Sequence, residues 1–279
     1  MILIADSGST KTTWMEVGSG NKVVTEGLNP HFTSEEQFVA ACNAVRQNFQ
    51  LSTFNFQLFF YGAGCGLAVQ RKKVVTWLAN AFGTSDVHVE TDMLAACRAT
   101  AADRPALVGI LGTGSNACLY DGHEITRIAT STGYILGDCG SANHVGRVLL
   151  NGYLTHHMPS SLRRMFHDTY TMSDAQLMDA VYHQPNPNRF LASLAPFAVQ
   201  HQMDDYCRRV ITHTLGDWLS DVLVPLKRRS DLPLSVVGGY AKAIEPTLRA
   251  VMADNDIQVG TIVADPIEGL RRFHLGAGA

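Results

Sequence analysis

The chain has 279 residues, of which 46% are hydrophobic and 17% are charged, and its formal net charge at pH 7 is −3. This length predicts two domains of ordinary size. Such a charge excludes a strong electrostatic attraction to nucleic acid or to an anionic membrane. The short basic run Lys227–Arg229 predicts a solvated helix end instead. We therefore expect neither nucleic acid nor a membrane as a partner.

Apolar segments and cysteines favour a cytoplasmic protein. The apolar stretch Leu107–Leu111 is too short to cross a bilayer. Asp6 follows the first five residues directly, so neither a signal peptide nor a membrane anchor is expected at the N-terminus. The six cysteines form no Cys-x-x-Cys pair and are expected to be reduced thiols.

The first hundred residues predict strands that come to alternate with helices. Ser34 begins one helix as its N-cap, and Gln37 stands three residues later, where a capping box needs it. The predicted strands are Ile2–Ala5, Thr12–Val17, Lys22–Glu26, Phe56–Tyr61 and Val87–Glu90. The predicted helices are Ser34–Phe49, Ala68–Phe82 and Met93–Ala102.

The same order of elements then begins again. The strands predicted in this part are Ala106–Leu111, Asn116–Tyr120, Glu124–Ala129, Leu234–Val237 and Val259–Val263. The helices predicted in it are Ala142–Thr155, Asp174–Tyr182, Arg189–Val224 and Ala241–Ala253. The same order of elements thus occurs twice: three strands, then a helix, a strand, a helix, a strand and a helix. The second copy carries a helical insertion. The pattern predicts an α/β fold of two units, with helices on both faces of each sheet and a ligand cleft between the units.

A short segment rich in small residues, Asp6–Thr12, follows the first strand. Glycine and serine let backbone amides approach an anion closely, and an aspartate at a strand end can hold a metal ion against phosphates. The segment lacks the Gly-Lys-Ser/Thr ending of a P-loop. On its own, however, it is more typical of a plain hairpin turn than of a phosphate-binding loop.

A second segment of this kind, Leu111–Asn116, stands at the same place in the second copy and reads Leu-Gly-Thr-Gly-Ser-Asn. Two hydroxyl-rich hairpins that open the two halves of a protein can hold a polyphosphate between them. The pair is therefore more informative than either hairpin alone.

Three further positions could carry chemistry. Asp92 lies where a strand gives way to a helix, a position that favours a helix cap and is also compatible with a base that takes a proton from an attacking hydroxyl. The loop Gly133–Ala142 is rich in glycine, and Asp138 within it could bind hydroxyl groups. At Val236–Tyr240 a strand runs into two glycines, which would let a flat ring lie against the backbone.

These motifs, Asp-x-Gly-x-Thr, Leu-Gly-Thr-Gly-Ser-Asn, Gly-Asp-x-Gly-Ser-Ala and Val-Gly-Gly, occur in this order over nearly the whole chain, from Ile4 to Ala279. In this the sequence resembles the BadF/BadG/BcrA/BcrD-type ATPase family, and within it the N-acetylglucosamine kinases of the actin/hexokinase/Hsp70 superfamily. The resemblance implies two duplicated actin-like, ribonuclease H-like domains, residues 1–108 and 109–279. It also implies that the last residues, from Glu268, pack back on the first domain.

The resemblance further implies an ATP-dependent kinase that phosphorylates an amino sugar, N-acetylglucosamine, to its 6-phosphate, with ATP and Mg²⁺ as cofactors. Asp6 matches the residue next to Mg²⁺, and Asp92 matches the catalytic base. The positions that match nucleotide-binding residues are Ser9, Thr10, Lys11, Thr113, Gly114, Gly238 and Gly239. The positions that match sugar-binding residues are Asn29, Ser131, Thr132, Gly133 and Asp138.

The sequence departs from the family pattern near the expected sugar site. Cys139 stands where a glutamate usually follows the loop aspartate, and an aromatic residue expected near Thr132 in the animal enzymes is missing. The match at Asn29 requires a small gap in the alignment. These departures affect the identity of the sugar more than the transfer of phosphate, so a related amino sugar stays open as substrate.

Two other functions are compatible with parts of the pattern. One is an ATPase that activates a radical dehydratase, but such proteins hold an iron–sulfur cluster through cysteines in glycine-rich motifs. The second half of this sequence has no cysteine in such a motif, and the Gly-Gly-Gln-Asp element is absent. The other is a non-catalytic ATP-binding regulator, which would have no need of a base at Asp92. A homodimer is compatible with each function.

Overall fold

The structure, a computed structural model, describes residues 1–49, 56–227 and 231–276. Arg228 and Arg229 of the predicted solvated helix end, and the last three residues of the family resemblance, lie outside this part of the chain. Contacts within the chain divide it into two compact units. Unit 1 comprises Met1–Arg104, Asp121–Glu124 and Asp265–Ala279, and unit 2 comprises Pro105–Tyr120 and Ile125–Ala264.

Unit 1 is built on a mixed five-stranded sheet in the order β3-β2-β1-β4-β5. Its strands are β1 (Ile2–Ser7), β2 (Lys11–Glu16), β3 (Lys22–Glu26), β4 (Gln57–Gly62) and β5 (Val87–Thr91). Its helices are α1 (Glu35–Asn48), α2 (Ala68–Phe82), α3 (Asp92–Ala101) and the last helix of the chain, α13 (Ile267–Gly276). β1 pairs antiparallel with β2 and parallel with β4.

Both faces of this sheet are buried. Leu3 and Ala5 point to the side covered by α1 and α2, where Trp14 and Phe60 form the core. Ile4 points to the opposite side, where it packs with Leu270 of α13 and Ala95 of α3. Because successive side chains of a strand point to opposite faces, a sheet covered on both sides needs the continuous apolar run with which the chain begins.

Unit 2 repeats this architecture, with a sheet in the order β10-β9-β6-β7-β8. Its strands are β6 (Ala106–Leu111), β7 (Ser115–Tyr120), β8 (Ile125–Ile128), β9 (Leu234–Val237) and β10 (Val259–Val263). Between β8 and β9 lie α4 (Gly133–Leu136), α5 (Ala142–Leu154), α6 (Ser160–Tyr170), α7 (Asp174–Tyr182), α8 (Pro187–Gln200), α9 (Asp205–Trp218), a π-helical stretch (Leu219–Leu223) and α10 (Val224–Lys227). Two further helices, α11 (Gly239–Ala243) and α12 (Glu245–Ala253), connect β9 to β10. The predicted α/β fold with a duplicated strand order is confirmed.

Some helix predictions in unit 2 were wrong. The single helix predicted over Arg189–Val224 is interrupted at residues 201–204, because Asp204 caps a new helix by accepting a hydrogen bond from the Tyr206 amide at 2.8 Å. The helix predicted over Ala241–Ala253 is divided at Ile244, two residues before Pro246. The helices α4 and α6 were not predicted.

The C-terminal helix α13 packs against α3 and β1 of unit 1. A side chain at Gly269 would overlap Ala99, since a Cβ atom there would lie 2.3 Å from the Ala99 carbonyl oxygen. The two helices therefore approach closely at this glycine. Over the residues that the structure describes, no helix combines the length and the apolar character needed to cross a bilayer.

Candidate active site

The turn between β1 and β2 is held by hydrogen bonds from several directions. The Gly8 amide donates to the Lys11 carbonyl oxygen at 3.0 Å and closes the turn. The hydroxyls of Ser7 and Thr12, both fully buried, hydrogen-bond to each other at 2.8 Å. Behind the turn, Gly27 is so close that a Cβ atom there would lie 2.6 Å from the Ser9 carbonyl oxygen. Ser9 is left half-buried and Thr10 exposed at the tip of the turn.

Asp6 lies at the end of β1, next to two other carboxylates. Its pKa is raised to about 8, first by burial and then by the negative charges of Asp265 and Asp92, while Lys11 opposes the shift. A partly buried carboxylate among like charges is a position that a cation would stabilise. The Asp6 environment therefore suits a site for a divalent cation.

Asp265 was not singled out from the sequence. Its Oδ2 accepts a hydrogen bond from Lys11 Nζ at 2.9 Å, and its Oδ1 accepts one from the Ile267 amide at 3.0 Å, where α13 begins. It is separated from Lys11 by 254 residues, so only the packing of α13 on unit 1 brings the two together. Nothing local in the sequence indicated this partner.

Asp92 is the first residue of α3 but not its cap. Thr91 is the N-cap, and its hydroxyl accepts a hydrogen bond from the Leu94 amide at 3.1 Å. The Asp92 Oδ1 accepts a hydrogen bond from the Met93 amide at 2.9 Å. Burial raises the pKa of Asp92, and hydrogen bonds from backbone amides partly offset this shift. Since Thr91 caps the helix, the N-cap position does not require the Asp92 carboxylate.

The described part of the chain contains no group of three or more histidine, cysteine, aspartate or glutamate side chains placed to hold a metal ion. Mg²⁺ is commonly bound through one or two carboxylates together with substrate phosphates and water. Asp6 can supply such a carboxylate.

In unit 2, the turn between β6 and β7 is fixed by the start of α5. The Gly112 amide donates to the Gly114 carbonyl oxygen at 3.0 Å. The Ala142 amide donates to the Gly112 carbonyl at 2.9 Å, and the Asn143 amide donates to the Thr113 carbonyl at 3.1 Å. Two amides of the first turn of α5 are thus occupied by the hairpin itself.

Asp138 lies against this hairpin with a backbone φ of 52°. Its Oδ1 accepts a hydrogen bond from the Ser115 amide at 3.3 Å. A Cβ atom at Gly114 would lie 2.8 Å from the Asp138 Oδ2, so only glycine leaves room for the carboxylate. Burial raises the pKa of Asp138, against the opposing hydrogen bonds from Ser115 and Asn143.

Two of the four predicted nucleotide-binding residues of unit 2, Thr113 and Gly239, line one pocket of about 430 Å³, whereas Gly114 and Gly238 are not among its lining residues. Helix α8 supplies a wall of this pocket that was not predicted from the sequence. The wall residues from α8 are Ala192, Ala195, Pro196, Val199 and Gln200. Gly238 has a φ of 146°, and a Cβ atom there would lie 2.2 Å from the Leu111 carbonyl oxygen. This pocket, with small apolar side chains and glycine backbone around it, is suited to a flat, mainly apolar ring.

The remaining predicted sugar-binding residues lie in two places. Ser131, Thr132 and Gly133 are exposed and lead into α4 in unit 2. Asn29 is buried in unit 1, where its Oδ1 accepts a hydrogen bond from the His31 amide at 3.0 Å. Gly64 packs directly on that Asn29 side chain. Asn29 therefore stabilises a local turn, whatever else it contacts.

The cysteines are free thiols, five of them buried and Cys139 half-buried. The Cys139 Sγ lies 3.7 Å from Asp221 Oδ2. Burial raises the pKa of this thiol, and the nearby carboxylates of Asp221 and Asp217 raise it further. Cys139 is thus a protonated, poorly nucleophilic thiol rather than a reactive one.

Comparison with solved structures identifies relatives of this chain. The putative N-acetylglucosamine kinase from Porphyromonas gingivalis is 33% identical, with a TM-score of 0.94 and coverage of 100% of both chains. The chain belongs to the same family as this protein. No protein-family model and no curated protein matches it.

More distant structures show the same fold. The putative N-acetylglucosamine kinase from Chromobacterium violaceum is 17% identical, with a TM-score of 0.76 and coverage of 98% of each chain. A ROK family glucokinase from Streptomyces griseus, in complex with glucose and AMPPNP, is 14% identical with a TM-score of 0.59, over 98% of this chain and 97% of that one. The family thus has the fold of the actin/hexokinase/Hsp70 superfamily. Its narrower placement among BadF/BadG/BcrA/BcrD-type ATPases stays a prediction.

Proposed function

We propose that this protein is an ATP- and Mg²⁺-dependent kinase that phosphorylates an amino sugar, N-acetylglucosamine, on its primary hydroxyl to give the 6-phosphate. The observation that carries the proposal is the match over the full length of both chains to the Porphyromonas gingivalis protein. The geometry of each unit supports it. The free thiols support a cytoplasmic location.

In unit 1, Asp92 is the proposed general base. A base for a sugar hydroxyl needs a carboxylate that is not committed to capping a helix, and Thr91 supplies the cap here. Burial raises the pKa of Asp92, which makes its carboxylate a better proton acceptor than an exposed aspartate. Asp92 would take the proton of the primary hydroxyl as that oxygen attacks the terminal phosphorus of ATP.

Asp6 is the proposed contact to Mg²⁺, and Lys11 the proposed positive charge next to the phosphates. When bound, Mg²⁺ neutralises charge on the phosphate oxygens during transfer. The negative charges that raise the pKa of Asp6 are those of Asp265 and Asp92, and a cation there would relieve their repulsion. Ser9 and Thr10, at the tip of the same turn, would add hydroxyl and amide donors for phosphate.

In unit 2, the pocket beside Thr113 is the proposed nucleoside site. Gly239 lies on it with no neighbour within 4 Å of an added Cβ atom, so its backbone is accessible to a ring. Thr113 and Gly114 would contact phosphate, and Gly238 shapes the turn. Binding of AMPPNP by the Streptomyces griseus glucokinase, which shares the fold, supports a nucleotide as the ligand.

The proposed sugar-binding residues are Asp138 and the exposed segment Ser131–Gly133 in unit 2, and Asn29 in unit 1. Asp138 is the best-defined of these, because its carboxylate is held in place by the hairpin. A site that hydrogen-bonds hydroxyl and acetamido groups discriminates strongly against sugars that lack them. Glucose should therefore be a poorer substrate than N-acetylglucosamine.

An ADP-release assay with a panel of sugars at fixed ATP and Mg²⁺ tests the proposal. The panel comprises N-acetylglucosamine, N-acetylmannosamine, glucosamine, a muramic-type sugar and glucose. We expect N-acetylglucosamine to give the largest increase over the sugar-free rate, with a 6-phosphate as product by mass spectrometry and NMR. If no sugar raises the rate above that background, the kinase proposal fails. An iron content and visible absorbance in the purified protein would then favour the activator ATPase.

A further inference from the structure

Asn143 connects two parts of unit 2 that the proposed function uses. Its side chain is fully buried in the first turn of α5. The Asn143 Nδ2 donates to the Thr113 carbonyl oxygen at 2.7 Å and to Asp138 Oδ2 at 3.2 Å. One side-chain amide group therefore contacts the predicted phosphate hairpin and the predicted sugar-binding aspartate together.

The orientation of this amide follows from its partners. The Thr113 carbonyl and the Asp138 carboxylate are both hydrogen-bond acceptors, so the group facing them must be the NH₂ and not the oxygen. The Asn143 Oδ1 is buried and, within the described part of the chain, has no hydrogen-bond partner. A buried amide oxygen left without a partner lowers stability. Stability alone therefore does not explain an asparagine at position 143.

The Asp138 carboxylate is held from two sides. Ser115 donates its backbone amide to Oδ1, and Asn143 donates its side-chain amide to Oδ2. Gly114 packs against the same carboxylate. A Cβ atom at Gly114 would lie 2.8 Å from Oδ2 and 3.1 Å from Oδ1. Asn143 is the side chain that fixes Oδ2, and its backbone amide also holds the Thr113 carbonyl at 3.1 Å.

We propose that Asn143 is a positioning residue that locks the Asp138 carboxylate to the Thr113 turn. It would act through these two residues without contacting the substrate. This inference rests on the proposed function, in which Asp138 binds sugar hydroxyls and Thr113 binds phosphate. A single donor that contacts both keeps the sugar-binding group in a constant position relative to the phosphate-binding turn. Asn143 lies one residue after the Gly-Asp-x-Gly-Ser-Ala motif, which is why the motif did not include it.

The test compares Asn143→Ala with Asn151→Ala, a matched change on the exposed side of the same helix. In the N-acetylglucosamine assay, Asn143→Ala should raise KM for the sugar about tenfold, as expected for loss of a hydrogen bond to a charged group. Asn151→Ala should leave KM unchanged. Asn143→Asp, which replaces the donor by a charged acceptor at similar size, should be at least as harmful as Asn143→Ala. If Asn143→Asp keeps wild-type KM and kcat, the proposal is wrong.

A double-mutant cycle with Asp138→Asn separates positioning from a general structural role. If Asn143 acts through Asp138, Asn143→Ala should change KM by less than about twofold in the Asp138→Asn background. An equal tenfold effect in both backgrounds would contradict the proposal. So would a loss of thermal stability in Asn143→Ala with no change in KM.

A readout without sugar distinguishes failure of this inference from failure of the proposed function. Carboxyl ¹³C NMR, assigned with Asp138→Asn, reports the pKa of Asp138 in the unliganded protein. Asn143→Ala should raise this pKa, because it removes a donor to the charged form, and Asn151→Ala should not. If Asn143→Ala raises the pKa of Asp138 but the wild-type protein phosphorylates no sugar, Asn143 still positions the Asp138 carboxylate. Only the kinase proposal is then refuted. An unchanged pKa in a folded Asn143→Ala protein would overturn the inference.

Discussion

The two hairpins that open the two units lie at the same place in their sheets but differ in their hydrogen bonds and in their surroundings. In each, three residues lie between the two strands, and the amide of the first of them donates a 3.0 Å hydrogen bond, to the Lys11 carbonyl oxygen in unit 1 and to the Gly114 carbonyl oxygen in unit 2. Asp6 of β1 is in register with Tyr61 of β4, and the corresponding residue of β6, Ile110, is in register with Val237 of β9. The position that holds a carboxylate in unit 1 is thus occupied by an apolar side chain in unit 2.

The surroundings differ in the same way. The first hairpin lies next to Asp6, Asp92 and Asp265, and Lys11 is the cation that opposes their charge. The second hairpin is fixed by backbone amides of α5 and borders a pocket with small apolar walls. The two hairpins therefore share their place in the strand order, whereas their hydrogen-bond acceptors and their surrounding side chains differ. On this comparison, our proposal assigns the base and the metal contact to unit 1 and the apolar nucleoside pocket to unit 2.

The largest effect that would support this division is expected for Asp92→Asn. Loss of a positioned base typically lowers kcat by a factor of about 10² to 10⁴, and KM for sugar and ATP should change little. The thermal midpoint should be preserved, because Thr91 and not Asp92 caps α3. Steady-state ADP release and a thermal melt measure both quantities.

The matched control for this variant is Asp103→Asn, an exposed aspartate just after α3, which should retain wild-type kcat. If Asp92→Asn instead lowers stability and leaves kcat within about threefold of wild type, the carboxylate serves the helix start and not the reaction.

The elements of the fold could be predicted from local signals, whereas the partners around the candidate site come from residues far apart in the sequence. Local signals were sufficient for α1, where Ser34 and Gln37 form the predicted capping box. Asp204 was also a local signal, since an aspartate before an apolar periodic run is a typical N-cap, and it was overlooked inside a long helix. The Lys11–Asp265 pair and the α8 wall of the pocket depend on residues far apart in sequence. No local pattern contains that information, so only the folded chain reveals it.

Substitutions of two glycines in unit 2 test whether the shape of its pocket determines nucleotide binding. Gly238→Ala should lower stability by about 1–3 kcal/mol, because its φ of 146° and the Leu111 carbonyl 2.2 Å from an added Cβ leave no room. Gly239→Ala has no such neighbour and should keep wild-type stability. It should nevertheless weaken nucleotide binding, since its methyl group would enter the pocket. Urea denaturation and calorimetric titration with a non-hydrolysable ATP analogue distinguish the two effects.

Gly216→Ala provides the control for these substitutions. Gly216 lies within α9 with no neighbour within 4 Å of an added Cβ atom, so alanine should preserve or raise stability, by up to about 1 kcal/mol. Unaltered nucleotide binding by Gly239→Ala would remove the pocket from the proposed nucleoside site.

Lys11→Met tests the charge of the first hairpin with a smaller expected effect. The Lys11–Asp265 ion pair is exposed, with 58% of the lysine side chain accessible, so its loss should change stability by less than about 1 kcal/mol. The affinity for nucleotide should fall by about three- to tenfold, because one positive charge near the phosphates is lost.

Lys22→Met is the matched control, because it also breaks an exposed ion pair in unit 1, that with Glu268 at 2.7 Å. It should not affect nucleotide binding. Equal effects of the two lysine variants would show a dependence on net charge and not on the position of Lys11.

The last prediction concerns the pH dependence of stability and not activity, at a neutral polar group of unit 1, His274 of α13. This residue is buried and hydrogen-bonds to the Tyr61 hydroxyl at 2.9 Å. Tyr61 also accepts a hydrogen bond from Arg98 at 2.8 Å. Burial lowers the pKa of His274 to about 4, and the positive charges of Arg98 and His88 act in the same direction. His274 is therefore neutral in the folded protein at pH 7.

The sign of the pH effect follows from the two states of the chain. An unfolded histidine takes up its proton near pH 6.5, whereas folded His274 does so only near pH 4. Between these values the unfolded chain binds more protons, so the contribution of His274 to stability is complete above pH 6.5 and is lost as the pH falls towards 4. The loss amounts to about 3 kcal/mol at pH 4. His274→Gln, which can still hydrogen-bond to Tyr61 but does not titrate, should remove this part of the pH dependence.

Urea denaturation between pH 4 and 7.5 measures the difference between wild type and His274→Gln, so contributions shared by both proteins cancel. His123→Gln, at an exposed position of unit 1, should retain the wild-type slope. Parallel pH profiles for wild type and His274→Gln would show that His274 is solvated enough to titrate normally in the folded protein. In that case water would reach His274 between α13 and the unit 1 sheet. The polar character of unit 1 would then include the contact with its C-terminal helix as well as the hairpin.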